Sequence, residues 1–367
     1  MRVIDSCAVF EKVYSALRCT DNTTASWETR PYSWLIPPTV PFAGTAFDLS
    51  PVTHNAGMTT RMIIDTDTAS DDAVALVMAL RGEAVEIDAI TVVAGNVSLH
   101  QSTQNALFTR ELCGATAPVY AGADRPLLRE PLVADFVHGN DGMGDIGLQL
   151  DNRHADRGHA VLQLVERFSH EPGCIDLVCL GPLTNIALAI ALDRTLAEKV
   201  RRCVIMGGAG YGPGNMTPVA EYNFWCDPEA ARIVLCSGMA ITLVGWDVSV
   251  KHGVIDDDDC EAIKKINTPL AHFCVDIQRA LRDYARDVSG LHGIDLADPV
   301  AMAVALDDSV VTSRATLPVK VVLADDETRG QAVIDVSGTT GMPPNVDVVA
   351  DINRGRFLSM LHRAVRG

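Results

Sequence analysis

From about residue 61 to its C-terminus, the chain alternates between short apolar runs and segments with the apolar spacing of amphipathic helices. Short apolar runs bounded by Gly, Asn or Asp predict buried strands. The predicted strands are Met62–Asp67, Ile87–Ala94, Ile175–Leu180, Cys203–Met206 and Ile241–Val248. The predicted helices are Ser98–Leu112, Gly158–Ser169, Leu183–Asp193 and Pro228–Cys236. This alternation predicts a single α/β domain with a mainly parallel, Rossmann-like sheet flanked by helices.

The two ends of the chain differ from this central pattern. Near the C-terminus, Leu317–Leu323 and Gln331–Val336 alternate in polarity around an acidic turn, which predicts a small antiparallel hairpin at an edge of the sheet. A last helix is predicted at Arg356–Val365. Residues 1–57 contain several prolines and no sustained periodicity. We therefore predict that 1–57 is a disordered extension or a mis-assigned translation start, and that the domain spans 58–367.

Composition narrows the class of protein. The formal net charge is −17 and no basic stripe is present, so nucleic acid and anionic membranes are not expected partners. No apolar run approaches the roughly 18 residues that span a bilayer. The ten cysteines are scattered without a CxxC pair, which predicts reduced thiols and a cytoplasmic location.

Four carboxylates lie at the end of the first predicted strand and just after it: Asp65, Asp67, Asp71 and Asp72. Like charges this close repel unless a cation or shared protons neutralise them. Oxygen ligands alone favour a hard cation, Ca²⁺ or Mg²⁺. A structural alternative makes Ser70 the N-cap of the next helix, with Asp71 and Asp72 in its first turn. That alternative does not explain Asp65 and Asp67.

Further candidate residues lie in segments just after predicted strands, where a parallel sheet brings them to the same edge. They are Asn96, the segment from Leu180 to Asn185, Met206 and Asp298, together with Asn215, Glu221 and Asn223 after a glycine-rich loop. Taken singly, each has an ordinary structural interpretation. Asp227-Pro228 is best interpreted as a helix cap.

From about Met62 to the C-terminus, the chain resembles the inosine–uridine-preferring nucleoside hydrolase family. Three motifs carry the resemblance: Asp65-Thr66-Asp67 with Asp71-Asp72, Met206-Gly207-Gly208, and Glu221-Tyr222-Asn223 followed by Asp227-Pro228-Glu229. The family's usual Pro-Gly is replaced by Thr68-Ala69. The resemblance implies Ca²⁺-dependent hydrolysis of the N-glycosidic bond of ribonucleosides to ribose and free base, by a homodimer or homotetramer.

The resemblance also implies roles for individual residues. Asp67 would bind Ca²⁺ and act as the base toward the attacking water, and Asp72, Asp298 and the carbonyl of Leu180 would complete the metal site. The residues expected to hold ribose are Asp71, Asn96 and Asn223 at the ring hydroxyls, Asn215 and Glu221 at the 5′-hydroxyl, and Met206 against the sugar. A positioned base of this kind typically contributes about 10²–10⁴-fold.

One position departs from the family pattern. Ala297 stands where many members have a histidine that helps the base to leave, and alanine cannot donate a proton. His138, Tyr284 and His292 are candidates to replace it near the base. The preference for purines or pyrimidines therefore stays open.

Two other functions are kept as alternatives. Asp65-Thr66-Asp67 resembles the nucleophile motif of haloacid dehalogenase-like phosphatases, which form an aspartyl-phosphate with Mg²⁺. Ala297 also permits a non-catalytic protein that binds nucleosides or calcium. A dinucleotide-binding loop at Gly208–Gly212 has little support, because no helix with a downstream ribose-binding acid follows it.

Overall fold

A parallel sheet forms the centre of the molecule, in a computed structural model that describes residues 59–366. The predictions for 1–57 lie outside the described residues. The strands are β1 (Thr60–Thr66), β2 (Val85–Val92), β3 (Val119–Ala121), β4 (Ile175–Cys179), β5 (Arg202–Met206), β6 (Ile241–Val244), β7 (Val254–Ile255), β8 (Ile294–Asp295), β9 (Val311–Leu317), β10 (Val319–Val321), β11 (Ala332–Ile334) and β12 (Val346–Ile352). The main sheet has the order β3-β2-β1-β4-β5-β6-β12-β9, and only β9 at the edge is antiparallel to its neighbour.

Helices cover both faces of this sheet. They are α1 (Ser70–Leu80), α2 (Leu99–Leu112), α3 (Asp135–His138), α4 (Ala160–His170), α5 (Thr184–Leu192), α6 (Leu196–Lys199), α7 (Tyr222–Cys226), α8 (Pro228–Leu235), α9 (Trp246–His252), α10 (Asp257–Lys264), α11 (Pro269–Asp276), α12 (Arg279–Tyr284), α13 (Ala297–Leu306) and α14 (Arg354–Ala364). A π-helix, Ala285–Ser289, continues α12. Within residues 59–366, none of the helices has the length and apolar character needed to cross a lipid bilayer.

The strands are apolar because both of their faces are buried. In β1, Met62 and Ile64 pack into one core, while Ile63 between them packs into the core on the opposite face. Helices α1 and α13 lie in the first core and are buried along almost their whole length. Helices α4, α5 and α8 supply the second core. The predicted α/β class and mainly parallel sheet are confirmed, and the five predicted helices agree with the structure within two residues at each end.

Two predictions about the strands need correction. The segment Ile241–Val248 is not one strand, because β6 ends at Val244 and α9 begins at Trp246. Gly245 makes the turn between them, where a Cβ atom would lie 2.6 Å from Asp247 Oδ1 and 2.7 Å from the Cα of Gly210. The predicted hairpin is present, but β10 and β11 form a separate two-stranded sheet. The edge of the main sheet is β9, which takes Leu317 from the predicted hairpin.

Asp227 caps helix α8, as the sequence predicted. Its Oδ1 accepts a hydrogen bond from the backbone N–H of Ala230 at 3.0 Å, and Pro228 takes the first helical position. Its Oδ2 accepts from the N–H of Leu127 at 2.9 Å and from the hydroxyl of Thr184 at 2.7 Å. The side chain is fully buried. Its hydrogen bonds join three parts of the chain as well as capping a helix.

We predict that Asp227→Ala lowers the free energy of unfolding by about 3 kcal/mol, because the cap is lost and two further donors lose their acceptor. Asp256→Ala is the matched control. Asp256 also caps a helix through a backbone N–H, but it is exposed, and we expect a loss of about 1 kcal/mol. Urea denaturation of both variants measures the difference. Equal losses would contradict a special role for the buried cap.

Candidate functional site

The candidate site lies where the strand order reverses, between β1 and β4. At such a switch point the loops after neighbouring strands turn in opposite directions and leave a crevice. A cavity of about 120 Å³ opens there. Ten of the residues predicted from the sequence line it: Asp71, Asn96, His138, Leu180, Met206, Asn215, Glu221, Asn223, Tyr284 and Asp298. Asp67 and Asp72 are fully buried beside this lining, whereas His292 is exposed and outside it.

Asp67 directly follows β1 and is fixed by close backbone packing. A Cβ atom on Gly95 would lie 2.0 Å from its Oδ2, and one on Gly181 would lie 2.6 Å from its Oδ1, so both positions need glycine. Oδ2 accepts a hydrogen bond from the N–H of Asn96 at 2.6 Å. Oδ1 is buried and has no hydrogen-bond partner among residues 59–366. One oxygen of Asp67 is therefore held, and the other is available to a ligand.

Asp71, Asp72 and Asp298 each place a carboxylate oxygen within 4.8 Å of the other two. Asp72 is oriented by the Thr66 hydroxyl, which donates to Oδ1 at 2.6 Å, and by the N–H of Ala69, which donates to Oδ2 at 3.0 Å. Ser70 is not the N-cap of α1, because the helix begins at Ser70 and Ala69 precedes it. Alanine has no side-chain oxygen that could cap the helix. The carboxylate of Asp72, inside the helix, accepts the hydrogen bond from the N–H of Ala69.

Burial and mutual repulsion act together on these acids, which we call the carboxylate cluster (Asp67, Asp71, Asp72 and Asp298). Burial raises the pKa of Asp67, Asp71 and Asp298 well above the usual value, and the nearby charge of Asp72 raises it further. A buried set of acids fits a bound cation when one oxygen of Asp67 and one of Asp71 have no hydrogen-bond partner in the part of the chain that the structure describes. With oxygen donors only, the cluster can hold a hard metal ion.

Two further groups line the same part of the cavity. The amide of Asn223 donates to the carbonyl of Leu180 at 2.8 Å and to that of Met206 at 3.3 Å. A carbonyl oxygen has two lone pairs, so the Leu180 carbonyl keeps one for another ligand. The Asn223 amide also lies 3.3 Å from the sulfur of Met206. Asn223 thus connects the ends of β4 and β5 at the cavity wall.

Glu221 and Asn215 make backbone contacts as well as lining the cavity. The two oxygens of Glu221 accept from the N–H groups of Gly208 and Asn223, each at 2.7 Å, and cap helix α7. Burial nevertheless raises the pKa of Glu221 to about 7. Asn215 is exposed at the rim, and its Oδ1 accepts from the N–H of Tyr222 at 3.0 Å.

The predicted replacements for the missing histidine differ in their surroundings. His138 is buried, its Nδ1 lies 3.0 Å from the hydroxyl of Ser70 and 3.9 Å from Asp71, and burial lowers its pKa to about 4. Its imidazole is therefore neutral near pH 7, and its contact with Asp71 is not an ion pair. Tyr284 packs against the exposed Phe136, with ring centroids 5.8 Å apart. Ala297 lines the cavity and offers no polar atom.

Several residues around the site were not predicted from the sequence. Ser102 and Asn105 on α2 donate to the backbone carbonyls of Asp67 and Thr68, at 2.8 and 2.9 Å. Gln278 donates to the carbonyl of Ser70 at 2.7 Å. For Ser102 and Asn105, the sequence signal was a polar residue at a position that the helix buries. Trp246 and Asp295 also line the cavity, and nothing in the local sequence pattern marked them.

Comparisons with known proteins agree with one another. The model of the family described as "Inosine-uridine preferring nucleoside hydrolase" matches residues 62–359. "Probable uridine nucleosidase 1" of Oryza sativa subsp. japonica is 40% identical over 243 residues, 66% of this chain and 75% of that protein. "Pyrimidine-specific ribonucleoside hydrolase RihA" of Photobacterium profundum is 37% identical over 306 residues, 83% of this chain and 98% of that protein. The solved structure of a plant nucleoside hydrolase has a TM-score of 0.79 at 33% identity, covering 84% of this chain and 99% of that one.

Asp65, two residues before Asp67, is fully buried, and its raised pKa predicts how the stability of the fold depends on pH. Its Oδ2 accepts from Thr91 and Asn185, its Oδ1 has no partner among the described residues, and burial raises its pKa to about 7. Because the unfolded pKa is near 4, the ionised form disfavours the folded state, and stability falls as pH rises from about 4 to about 7. We expect Asp65→Asn to remove up to about 4 kcal/mol of this fall.

Urea denaturation in chelator at several pH values measures the effect, with the exposed Asp258→Asn as control. Parallel pH curves for wild type and Asp65→Asn would contradict the prediction.

Proposed function

The chain belongs to the inosine-uridine preferring nucleoside hydrolase family, and from this premise we propose that its carboxylate cluster binds Ca²⁺ and supports attack by water on a ribonucleoside. The protein is a glycosidase that hydrolyses the N-glycosidic bond of ribonucleosides to ribose and free base. This assignment replaces the phosphatase interpretation and favours an enzyme over a non-catalytic binding protein. The observation that carries the proposal is the unpaired, buried oxygen of Asp67 beside three further carboxylates at the switch point.

Asp67, Asp72, Asp298 and the carbonyl of Leu180 would hold the cation. All four offer oxygen, which suits Ca²⁺ better than zinc. The bound ion would supply a positive charge that lowers the pKa of water and orients neighbouring hydroxyls. The ion would also relieve the repulsion that raises the pKa values of these acids.

Asp67 is proposed as the general base. Its Oδ2 is held by the N–H of Asn96, so Oδ1 is the atom that can accept a proton from water. As the water oxygen bonds to C1′ of ribose, the electron pair of the N-glycosidic bond leaves with the base. The sugar has oxocarbenium character at that point, by analogy with O-glycosides. The surrounding carboxylates stabilise this positive charge in a site that excludes bulk water.

The remaining polar residues are proposed to hold the sugar. Asp71 and Asn96 would bind the 2′- and 3′-hydroxyls, with Asn223 on the 3′ side. Asn215 and Glu221 would bind the 5′-hydroxyl. Met206, whose sulfur faces the amide of Asn223, would pack against the ring. Several of these residues already accept or donate backbone hydrogen bonds, so their positions are fixed before the substrate arrives.

The base end of the cavity lacks a strong proton donor at Ala297. His138 is neutral near pH 7 because of its lowered pKa, so it would donate only as a weak acid. Tyr284 remains a candidate neighbour of the base. The relatives named as uridine nucleosidase and pyrimidine-specific hydrolase make uridine the first substrate to test.

The cellular context is proposed more broadly. We expect a homodimer or homotetramer in the cytoplasm, with the catalytic domain at 58–367. Support for a reducing compartment comes from the cysteines, which are scattered along the sequence without a CxxC pair. Size-exclusion chromatography with light scattering measures the oligomeric state.

We predict that Asp67→Asn lowers kcat for uridine by about 10²–10⁴-fold, because asparagine cannot accept the proton. Release of reducing sugar from a panel of purine and pyrimidine ribonucleosides measures it. Asp88→Asn is the control, since Asp88 is also buried but pairs with Arg61 near the start of β2, away from the cavity. Full activity in Asp67→Asn, with an intact fold, would refute its role as base.

Chelation is predicted to abolish turnover and lower the melting temperature, and Ca²⁺ is predicted to restore both. An ion at 100 times its Kd would stabilise the fold by about 2.7 kcal/mol. Asp298→Asn removes one carboxylate and should weaken the Ca²⁺-induced shift without removing the fold. Mg²⁺ and Zn²⁺ serve as comparison ions. Unchanged activity in chelator would rule out the metal, and restoration by Zn²⁺ alone would rule out the choice of Ca²⁺.

A further inference from the structure

The glycine-rich loop after β5, Gly207–Gly214, has no role in the proposed function so far. It leads from the end of β5 to Asn215, which lines the cavity. Its start is held twice. The N–H of Gly208 donates to Oε2 of Glu221 at 2.7 Å, and its carbonyl accepts from the N–H of Trp246 at 2.9 Å. The start of the loop is therefore fixed both to a residue of the cavity wall and to the first residue of α9.

Asp247, the second residue of α9, packs into the middle of this loop. Its Oδ2 accepts a hydrogen bond from the N–H of Tyr211 at 3.0 Å. Gly210 has a φ of +66°, and a Cβ atom there would lie 1.8 Å from Oδ1 of Asp247. A Cβ atom on Gly212 would lie 3.0 Å from the Cβ of Asp247. Three consecutive loop residues therefore close around one carboxylate.

This loop explains the position of Asp247 better than the helix on which it lies. An acid in the first turn of α9 is favourable for the helix dipole, but an exposed acid would serve equally well. Asp247 is instead half-buried, and its Oδ1 is buried without a hydrogen-bond partner among residues 59–366. Burying a carboxylate that is only partly paired disfavours folding, so helix stability alone does not account for its position.

The end of the loop transmits this constraint to Asn215. Only Pro213 and Gly214 separate Asn215 from the residues around Asp247. The ring of the proline fixes its φ, and the N–H of Gly214 donates to a backbone carbonyl in the following turn at 3.1 Å. On the other side, Oδ1 of Asn215 accepts from the N–H of Tyr222 at 3.0 Å. Asn215 is therefore positioned by its own hydrogen bond and by the loop that Asp247 holds.

We infer that Asp247 is a positioning residue, which holds the glycine-rich loop so that Asn215 meets the 5′-hydroxyl of the substrate. This inference rests on the proposed function, which gives the 5′-hydroxyl to Asn215. Asp247 is not one of the described residues that line the cavity, so it would act through the backbone of residues 210–212 and not by touching the substrate. Its loss should weaken recognition of the 5′-hydroxyl selectively.

The test measures kcat/KM for uridine and for 5′-deoxyuridine, which lacks only that hydroxyl, by release of reducing sugar. A hydrogen bond is worth about 3- to 12-fold in affinity, so we expect Asp247→Ala to lower kcat/KM for uridine by about that factor. The value for 5′-deoxyuridine should stay unchanged. Asp256→Ala is the matched control, because Asp256 also accepts a backbone N–H at the start of a helix but lies outside the cavity lining. It should change neither value.

A double variant tests whether Asp247 acts through Asn215. Asn215→Ala should show the same selective loss for uridine. The double variant Asp247→Ala/Asn215→Ala should then lose no more than Asn215→Ala alone. Asp247→Asn keeps an oxygen that can accept the N–H of Tyr211, so it should recover part of the loss. Additive losses in the double variant would overturn the inference.

The remaining outcomes separate this inference from the proposed function. Equal losses for uridine and 5′-deoxyuridine in Asp247→Ala, or no loss for either, would overturn the positioning role. A wild type that cleaves both substrates equally well would overturn the assignment of the 5′-hydroxyl to Asn215, and this inference with it.

Wild-type protein that releases sugar from no nucleoside would overturn the proposed function instead. Hydrogen exchange then still tests the hold of Asp247 on the loop, because it requires no catalysis. Mass spectrometry of peptides that cover residues 207–216 should show faster exchange in Asp247→Ala than in wild type, and no change in Asp256→Ala. Unchanged exchange in Asp247→Ala would overturn the positioning role.

Discussion

The structure depends on keeping several carboxylates buried at one end of a parallel sheet. Burial disfavours each negative charge, and proximity adds repulsion, so the arrangement survives only through specific partners. Backbone N–H groups of Ala69 and Asn96 and the hydroxyl of Thr66 supply some of these partners. They leave oxygens of Asp67 and Asp71 unpaired within the described residues, which is the condition that a cation relieves.

Several features that take no part in the chemistry follow from the need to hold these buried carboxylates in place. Gly95 and Gly181 have no side chain because one would occupy the space of the Asp67 carboxylate. Ser102 and Asn105 bind carbonyls of the loop before α1, and Gln278 binds the carbonyl of Ser70 at the start of α1, so the segment that carries the acids cannot relax away from them. The order of the sheet places the ends of β1 and β4 side by side, and the buried pair α1 and α13 brings Asp72 to Asp298.

The sequence was informative where local pattern and tertiary environment agree. Strands buried on both faces give continuous apolar runs, and acids directly after such a run are conspicuous, so β1 and Asp67 could be predicted together. The same rule failed at Ile241–Val248, because an apolar run continues from a strand through a glycine turn into the first residues of α9. Strand β12 was not predicted, since Asp347 and Asp351 interrupt its apolar residues. Asp295 was not predicted, because its hydrogen-bond donors, Trp246 and Ser249, lie in α9, far from it in the sequence.

The proposed function places two opposite demands on the cavity. The carboxylate cluster would face the sugar, where its negative charge would favour a cationic transition state but repel an anionic leaving group. Where the base would lie, the imidazole of His138 is neutral near pH 7 and the side chain of Ala297 is apolar. Such surroundings would give the departing base little protonation from the protein, so catalysis would depend more strongly on stabilising the sugar cation. This imbalance would account for the buried charge and the hydrogen-bonded supports that are concentrated around Asp67.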